Sequence, residues 1–182
     1  MPGSEREGKD KTLEWINTIN GVNRLLDIGC GKGTYSLLCK DENNILLDSD
    51  WWAVEAWEPY NEKFGLHELY NTIINEDARE LDWNPLPNFD IVFCGDVLEH
   101  MTKEESQELV QKALNKTRYL IISIPIILSK AQGAVNGNHY ETHIKRDWTH
   151  NEVMESYPNI VDSNHKAKRI GVYLLKGNLD DS

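Results

Sequence analysis

The sequence predicts an α/β fold, a doubly wound and mostly parallel sheet with helices on both faces. Short apolar segments alternate along the chain with stretches of helical periodicity, which is the pattern of strand–helix–strand units. The segment 119–124 is nearly all apolar, as expected for a central strand that is covered on both sides. A turn with three glycines at 29–33 joins a predicted strand to a predicted helix, as in ligand-binding α/β folds.

The elements follow in order from the apolar pattern. Leu13, Ile16 and Ile19 give the stretch 9–19 the spacing of an amphipathic helix. The strands are predicted at 23–28, 44–49, 71–76, 90–95, 119–124 and 170–175. The later helices are predicted at 33–41, 52–64, 103–116 and 149–156. The segments 159–164 and 168–176 are separated by a short gap, which indicates an antiparallel hairpin at the end of the chain.

Length and composition indicate a single globular domain over residues 1–182. The chain has 182 residues, of which 40% are hydrophobic and 27% are charged, so one sizeable core is expected. Residues 1–8 are polar and predict a flexible tail without a signal peptide. The longest apolar run, 120–128, is too short to cross a membrane. We therefore expect a cytoplasmic protein with no membrane partner.

Charge and cysteine content argue against a nucleic-acid-binding, disulfide-rich or zinc-binding protein. The net charge of −11 disfavours a nucleic-acid partner, because such binding relies on clustered Lys and Arg. Three cysteines, one of them inside the glycine turn, make a poor disulfide framework and lack zinc spacing. His139 and His143 stand four residues apart, but no further ligand pattern accompanies them. No metal site is predicted from the sequence.

The glycine turn is the most informative motif. Residues 24–34 read Arg-Leu-Leu-Asp-Ile-Gly-Cys-Gly-Lys-Gly-Thr, with glycines at 29, 31 and 33. A side chain at these positions would hold a ligand away from the backbone or forbid the turn. Dinucleotide-binding turns have the spacing G-x-G-x-x-G, which would require a glycine where this chain has Thr34. The spacing therefore disfavours a nicotinamide-dependent oxidoreductase, which remains the weakest alternative.

Two motifs resemble class I S-adenosylmethionine-dependent methyltransferases. The first is the glycine turn, and the second is the segment 89–100, which ends in Asp96-Val-Leu-Glu-His100. The resemblance covers residues 22–125 and is similar to the small-molecule type of this family. It implies a seven-stranded sheet with a C-terminal antiparallel hairpin, S-adenosyl-L-methionine as cofactor and a small-molecule methyl acceptor. The turn lacks the Asn/Asp-Pro-Pro-aromatic motif of enzymes that methylate base amino groups or glutamine amides.

The residues expected to bind the cofactor follow the ends of the predicted strands. A carboxylate about 20 residues beyond the first glycine can accept hydrogen bonds from ribose hydroxyls, which favours Asp48 over Asp50. Asp50 is interpreted instead as the cap of the next helix. Trp51 or Trp52 can pack against adenine or fill the core. With the positions implied by the resemblance, the predicted cofactor-binding residues are Asp27, Gly29, Cys30, Gly31, Gly33, Asp48, Ser49, Asp77, Ala78 and Asp96.

The acceptor is expected at the loop 127–148, a long irregular segment that follows the fifth predicted strand. We interpret it as a substrate loop or lid. Candidates for proton transfer are Glu99, His100, Tyr140 and His143, although Glu99 and His100 also suit a purely structural role in the turn.

The sequence thus predicts in-line transfer of a methyl group to a small-molecule or sugar- or lipid-linked acceptor. A second possibility is a regulatory module that binds S-adenosylmethionine without catalysis, since intact binding motifs are compatible with both. The acceptor and the oligomeric state are not predicted.

Overall fold

The computed structural model describes residues 6–129, 131–165 and 169–180. The strands are β1 (Arg24–Ile28), β2 (Asp50–Val54), β3 (Thr72–Ile74), β4 (Phe89–Gly95), β5 (Thr117–Pro125), β6 (Ile160–Asn164) and β7 (Ile170–Lys176). They form one seven-stranded sheet in the order β3-β2-β1-β4-β5-β7-β6. The pairs among β1 to β5 are parallel, whereas β7 runs antiparallel to both β5 and β6. The predicted fold class and C-terminal hairpin are confirmed.

Helices cover both faces of the sheet. They are α1 (Lys9–Thr18), α2 (Thr34–Leu37), α3 (Pro59–Lys63), α4 (Leu66–Leu69), α5 (Lys103–Leu114) and α6 (His150–Ser156). A π-helical turn, Leu38–Glu42, continues α2, and short 3₁₀ turns lie at Leu98–His100 and His139–Glu141. Helix α5 begins with a capping box formed by Thr102 and Glu105, which satisfies backbone donors of its first turn.

The core lies in two clusters, one on each face of the sheet. Consecutive strand residues alternate between them, so that Leu25 joins the cluster under α1 to α4 and Leu26 joins the cluster under α5 and α6. Trp51 and Phe93 stack in the first cluster with ring centroids 6.0 Å apart. Burial on both faces fixes the strand register, because a shift by one residue would exchange the two clusters.

One predicted strand is wrong, and one predicted helix is shorter than expected. The segment 44–49 is irregular, and its Asn44 and Leu46 have φ values of 54° and 53°, which extended strands do not adopt. The strand lies instead at Asp50–Val54, so the helix predicted over 52–64 is reduced to Pro59–Lys63. Ile45 and Leu46 are apolar because they pack against the core from a loop, not because they belong to a strand.

The ends of the chain are only partly described. Residues 1–5 of the predicted tail and position 168 of the predicted hairpin lie outside the described residues. The rest of the predicted tail has contacts: Glu7 accepts a hydrogen bond from the Arg169 backbone at 2.7 Å, and Gly8 precedes α1. Within the described ranges, no helix combines the length and the apolar character needed to cross a membrane.

Candidate active site

A crevice of about 830 Å³ opens at the carboxyl ends of the parallel strands. The turns after β1, β2, β3 and β4 line it, together with residues 127–129, 131–132 and 138–144. Its lining includes Gly29, Glu55, Asp77, Asp96 and Tyr140. This is the edge of an open α/β sheet where ligands bind, and the volume falls in the range of small-molecule sites.

The glycine turn brings bare backbone to the crevice. Gly29 and Gly31 line it with φ values of 61° and 52°. A Cβ on Gly29 would lie 2.6 Å from Cγ2 of Val97, so the turn after β4 packs against the space that the glycine leaves open. Gly33 has φ 78° and starts α2 without lining the crevice. Gly29 and Gly31 therefore form part of the crevice wall, whereas Gly33 allows the chain to turn into α2.

Glu55 directly follows β2 and joins the glycine turn to this strand. One carboxylate oxygen accepts a hydrogen bond from the Gly31 backbone N–H at 2.9 Å, and the other accepts one from the Trp57 N–H at 2.9 Å. The residue is 5% exposed and lines the crevice. Burial raises the pKa of its carboxyl, and the two backbone hydrogen bonds counteract this rise. Glu55 is thus a fixed acceptor at the mouth of the site.

The structure places Asp48, predicted to bind the ribose, and Ser49, predicted to bind the cofactor, away from the crevice. Both residues precede β2, at the amino ends of the strands, where Ser49 Oγ donates to the Val22 carbonyl at 3.2 Å. Neither residue lines the crevice at the opposite edge of the sheet. The sequence prediction placed the second strand too early along the chain. The run Trp-Trp-Ala-Val-Glu at 51–55, which ends in an acid, is the signal that identifies Glu55.

The structure also shows where Asp50 and the two neighbouring tryptophans lie. Asp50 is the first residue of β2 and pairs with the Arg24 side chain at 2.8 Å, so it caps no helix. Trp51 is fully buried in the core, where it stacks on Phe93. Trp52 is half-buried and packs edge-on against Phe89. Neither tryptophan lines the crevice, and core filling is the correct interpretation of both.

Asp27 and Cys30 lie behind the crevice and do not line it. The carboxylate of Asp27 is buried and accepts a hydrogen bond from the Tyr70 hydroxyl at 2.5 Å, the donor that its strand position requires. Burial raises the pKa of Asp27 to about 7, against the opposing influence of Tyr70 and Lys9. Burial also raises the pKa of the Cys30 thiol well above its ordinary value, so this thiol stays protonated.

Asp77 and Ala78, which the sequence analysis assigns to the adenine, line the crevice beyond β3. The Asp77 carboxylate is already engaged by Arg79, whose Nη2 lies 2.6 Å away and whose backbone N–H donates at 2.9 Å. Burial alone would raise the pKa of Asp77, but the hydrogen bonds and the charge of Arg79 lower it overall. Asp77 is therefore ionised and holds Arg79 at the edge of the crevice.

The turn after β4 places three acidic or basic side chains in the crevice. Asp96 has φ 54° and accepts a hydrogen bond from Ser123 Oγ at 3.2 Å. Glu99 is 3% exposed, and its Oε2 has no hydrogen-bond partner among the described residues. Burial and then the charge of Asp96 raise the pKa of Glu99 well above its ordinary value. Burial lowers the pKa of His100, so its imidazole is neutral at physiological pH.

The segment 142–145 of the predicted substrate loop is bound to this turn. The backbone N–H groups of Ile144 and Lys145 donate to the Glu99 carbonyl at 2.8 and 3.0 Å. The Nδ1 atom of His100 lies 3.2 Å from the Thr142 carbonyl. These bonds place His143 beside His100, with ring centroids 4.9 Å apart. Tyr140 and His143 both line the crevice, so all four predicted catalytic candidates meet there.

A match to a known protein family over residues 25–118 identifies the family of this chain. A family model described as a methyltransferase domain matches this range, which is more than half of the chain and spans β1 to the start of β5. The chain belongs to this methyltransferase family. The resemblance to S-adenosylmethionine-dependent methyltransferases is confirmed, and the protein is an enzyme of this kind.

Solved structures show the same fold for this methyltransferase. The N-terminal domain of EvdMO1 with S-adenosylhomocysteine bound is 14% identical with a TM-score of 0.67, covering 96% of this chain and 83% of that one. The same domain with S-adenosylhomocysteine and D-fucose present gives 15% and 0.66, covering 96% and 84%. A methyltransferase from Clostridium acetobutylicum gives 18% and 0.66, covering 92% and 88%. No curated protein matches the chain in sequence.

Proposed function

We propose that the crevice of this methyltransferase holds the cofactor against the glycine turn and Glu55, and delivers its methyl group to a small-molecule acceptor under the loop 127–148. The observation that supports this most directly is the position of the Glu55 carboxylate. It lies at the carboxyl end of β2, fixed by the Gly31 N–H and facing the crevice.

Glu55 is proposed to bind the ribose. Each of its oxygens accepts one backbone hydrogen bond, which leaves a second lone pair on each oxygen for a ribose hydroxyl. A carboxylate held in this way keeps its orientation without the entropy cost of ordering a free side chain. Gly29 and Gly31 border the crevice without side chains, which suits the close approach of a flat or extended ligand to their backbone.

The two ends of the cofactor are proposed to lie on either side of this carboxylate. Asp77 and Ala78 border the crevice beyond β3 and suit the adenine, with Arg79 at the rim. Asp96 and the backbone around Gly29 and Gly31 suit the methionine end. Asp27 acts from behind the turn, since its carboxylate is bonded to Tyr70 and does not reach the crevice surface.

The acceptor is proposed to lie between the turn after β4 and the loop. When bound, S-adenosylmethionine supplies a methyl group that its sulfonium has already activated, so the protein mainly aligns the acceptor and excludes water. The hydrogen bonds from Ile144 and Lys145 to the Glu99 carbonyl hold the loop over this end of the crevice. One crevice of about 830 Å³ must hold both molecules, which favours a small acceptor. Sugars are one such class, since EvdMO1 was crystallised in the presence of D-fucose.

The experiment combines binding with turnover. Calorimetry should show that the protein binds S-adenosylhomocysteine and not NAD, with one site per chain. Incubation with methyl-labelled cofactor and a fractionated metabolite pool should then give a labelled small molecule that mass spectrometry can identify. Label that appears only in macromolecules would contradict the small-molecule acceptor, and an absence of S-adenosylhomocysteine binding would contradict the proposed crevice.

A further inference from the structure

We propose that Glu99, His100 and His143 form a binding site for a divalent transition-metal ion at the acceptor end of the crevice. One ligand atom from each residue, a carboxylate oxygen and two ring nitrogens, lies within 4.8 Å of the other two. All three residues line the crevice. The sequence predicts no such site, because the ligands come from two segments that only the fold brings together.

The geometry of the cluster is close to that of a metal site. Ligand atoms that share an ion at about 2.1 Å stand roughly 3–4 Å apart. Side-chain rotations on the order of 1 Å would therefore close the three atoms onto one ion. The ring centroids of His100 and His143 lie 4.9 Å apart and the ring planes meet at 63°, so the two imidazoles are neighbours that do not stack.

Glu99 supplies an independent observation. Its Oε2 is completely buried and has no hydrogen-bond partner among the residues that the structure describes. Leaving a buried carboxyl oxygen without a partner is costly, and folded proteins rarely do so without a reason. A cation bound between Glu99 and the two histidines satisfies this oxygen and also compensates the nearby charge of Asp96.

The hydrogen bonds behind the histidines set their ring orientation. The Thr142 carbonyl can only accept, so Nδ1 of His100 carries the proton and Nε2 keeps its lone pair. Ser129 Oγ lies 3.3 Å from Nδ1 of His143 and 3.3 Å from the Arg146 carbonyl, to which it donates. With its proton directed to this carbonyl, Ser129 Oγ can accept from a protonated Nδ1 of His143. Outer hydrogen bonds of this kind are typical of metal-binding histidines.

The ligand types select the class of ion. Two imidazoles and one carboxylate suit Mn²⁺, Fe²⁺, Co²⁺ or Zn²⁺, whereas Mg²⁺ and Ca²⁺ prefer sites made of oxygen alone. Three protein ligands leave coordination positions open toward the crevice. If the proposed function holds, an oxygen atom of the acceptor is the group that occupies an open position, which makes a hydroxyl-bearing molecule the substrate class.

The test measures metal binding without activity. Protein stripped with a chelator and dialysed is titrated with Co²⁺, Mn²⁺, Zn²⁺ and Mg²⁺ by calorimetry, and Co²⁺ is also followed by its visible absorption. We expect one transition-metal ion per chain and much weaker Mg²⁺ binding. Glu99→Gln and His143→Ala should each weaken Co²⁺ binding by at least about tenfold. The control His139→Gln changes a crevice histidine outside the cluster and should bind Co²⁺ as the unmodified protein does.

The same samples separate this proposal from the proposed function. Each variant is first tested for S-adenosylhomocysteine binding, which reports a folded crevice. Normal S-adenosylhomocysteine binding with no Co²⁺ binding, or with equal Co²⁺ affinity in all variants, overturns the metal site and leaves the methyltransferase proposal intact. A product methylated on nitrogen or carbon overturns only the assignment of an oxygen acceptor.

Discussion

The Gly31 backbone N–H donates a 2.9 Å hydrogen bond to the Glu55 carboxylate, so the glycine turn after β1 and the end of β2 form one unit. A change at either residue is therefore expected to alter cofactor binding. The neighbouring strands supply the remaining contacts of the crevice.

Replacing Glu55 by glutamine should weaken S-adenosylhomocysteine binding by about 1–2 kcal/mol, or roughly tenfold, because charge-assisted hydrogen bonds to the ribose are lost. Calorimetry measures this directly. Asp48→Asn is the matched control, since Asp48 lies at the edge of the sheet opposite the crevice. The affinity of this variant for S-adenosylhomocysteine should be unchanged. Loss of affinity in the Asp48 variant together with normal affinity in the Glu55 variant would reverse the assignment.

Replacing Gly29 by alanine should be more harmful than the same change at Gly21. Both glycines have positive φ, 61° and 66°, so both variants carry the same backbone strain, about 1 kcal/mol. Only at Gly29 does the new Cβ meet a neighbour, Val97 at 2.6 Å, whereas nothing lies within 4 Å at Gly21. Denaturant unfolding should show a larger loss for Gly29→Ala, accompanied by weaker cofactor binding. Equal losses of unfolding free energy in the two variants would show that the Val97 side chain moves aside without cost.

The buried Asp27 should make stability depend on pH. Its pKa is about 7 in the folded protein and 3.8 as the ordinary value, so the folded state holds the proton more tightly. The free energy of unfolding contributed by Asp27 is therefore greatest below pH 4 and falls as the pH rises to 7. Between pH 5 and pH 8 the loss is on the order of 2–3 kcal/mol.

Asp27→Asn tests this dependence, since the amide does not titrate. The difference in unfolding free energy between the variant and the unmodified protein should shift in favour of the variant as the pH rises from 5 to 8. Tyr70→Phe removes the hydrogen bond that stabilises the carboxylate, so it should steepen the dependence. A difference that is flat over this range would contradict the raised pKa.

The Asp90 carboxylate should stabilise the folded protein at every pH at which it is ionised. Asp90 accepts hydrogen bonds from the Asn23 and Arg24 N–H groups at 2.7 and 2.9 Å, and pairs with Arg118 at 3.0 Å. Asp90→Ala leaves Arg118, whose side chain is 8% exposed, without this charge and should cost about 3 kcal/mol in urea unfolding. The exposed partner of Arg6 gives the comparison: Glu42→Gln should cost less than about 0.5 kcal/mol.

Tyr140 should act on the acceptor side. Tyr140→Phe is expected to leave the affinity for S-adenosylhomocysteine nearly unchanged while lowering the rate of methyl transfer, because Tyr140 belongs to the loop that is proposed to cover the acceptor. Labelled-methyl assays alongside calorimetry separate the two quantities. Loss of cofactor binding in a folded variant would move Tyr140 to the cofactor side.

The sequence predicts those parts of the site that depend on local signals. Strands β1, β4 and β5 are apolar runs, and the glycine spacing after β1 distinguishes one adenosyl ligand from another, so these parts agree with the structure. The region between 44 and 55 does not, because Ile45 and Leu46 are apolar for packing reasons in a loop whose positive φ values carry no sequence signature. That single misplaced strand concealed Glu55.

The cluster of Glu99, His100 and His143 could not be predicted for a different reason. Its ligands meet because backbone groups at 144 and 145 bond to the Glu99 carbonyl, and any residue type can make such bonds. The spacing of His139 and His143 does not indicate the cluster either, since only His143 belongs to it.

The place of β7 within the sheet has a consequence during synthesis. It follows β6 along the chain, yet it lies between β5 and β6 and pairs with β5 from Tyr119 to Pro125. Until the ribosome has released residues 170–176, β5 presents an unpaired edge of Leu, Ile and Ser residues to other chains in the cell. A nascent or prematurely terminated chain should therefore be a client of chaperones that shield exposed strands.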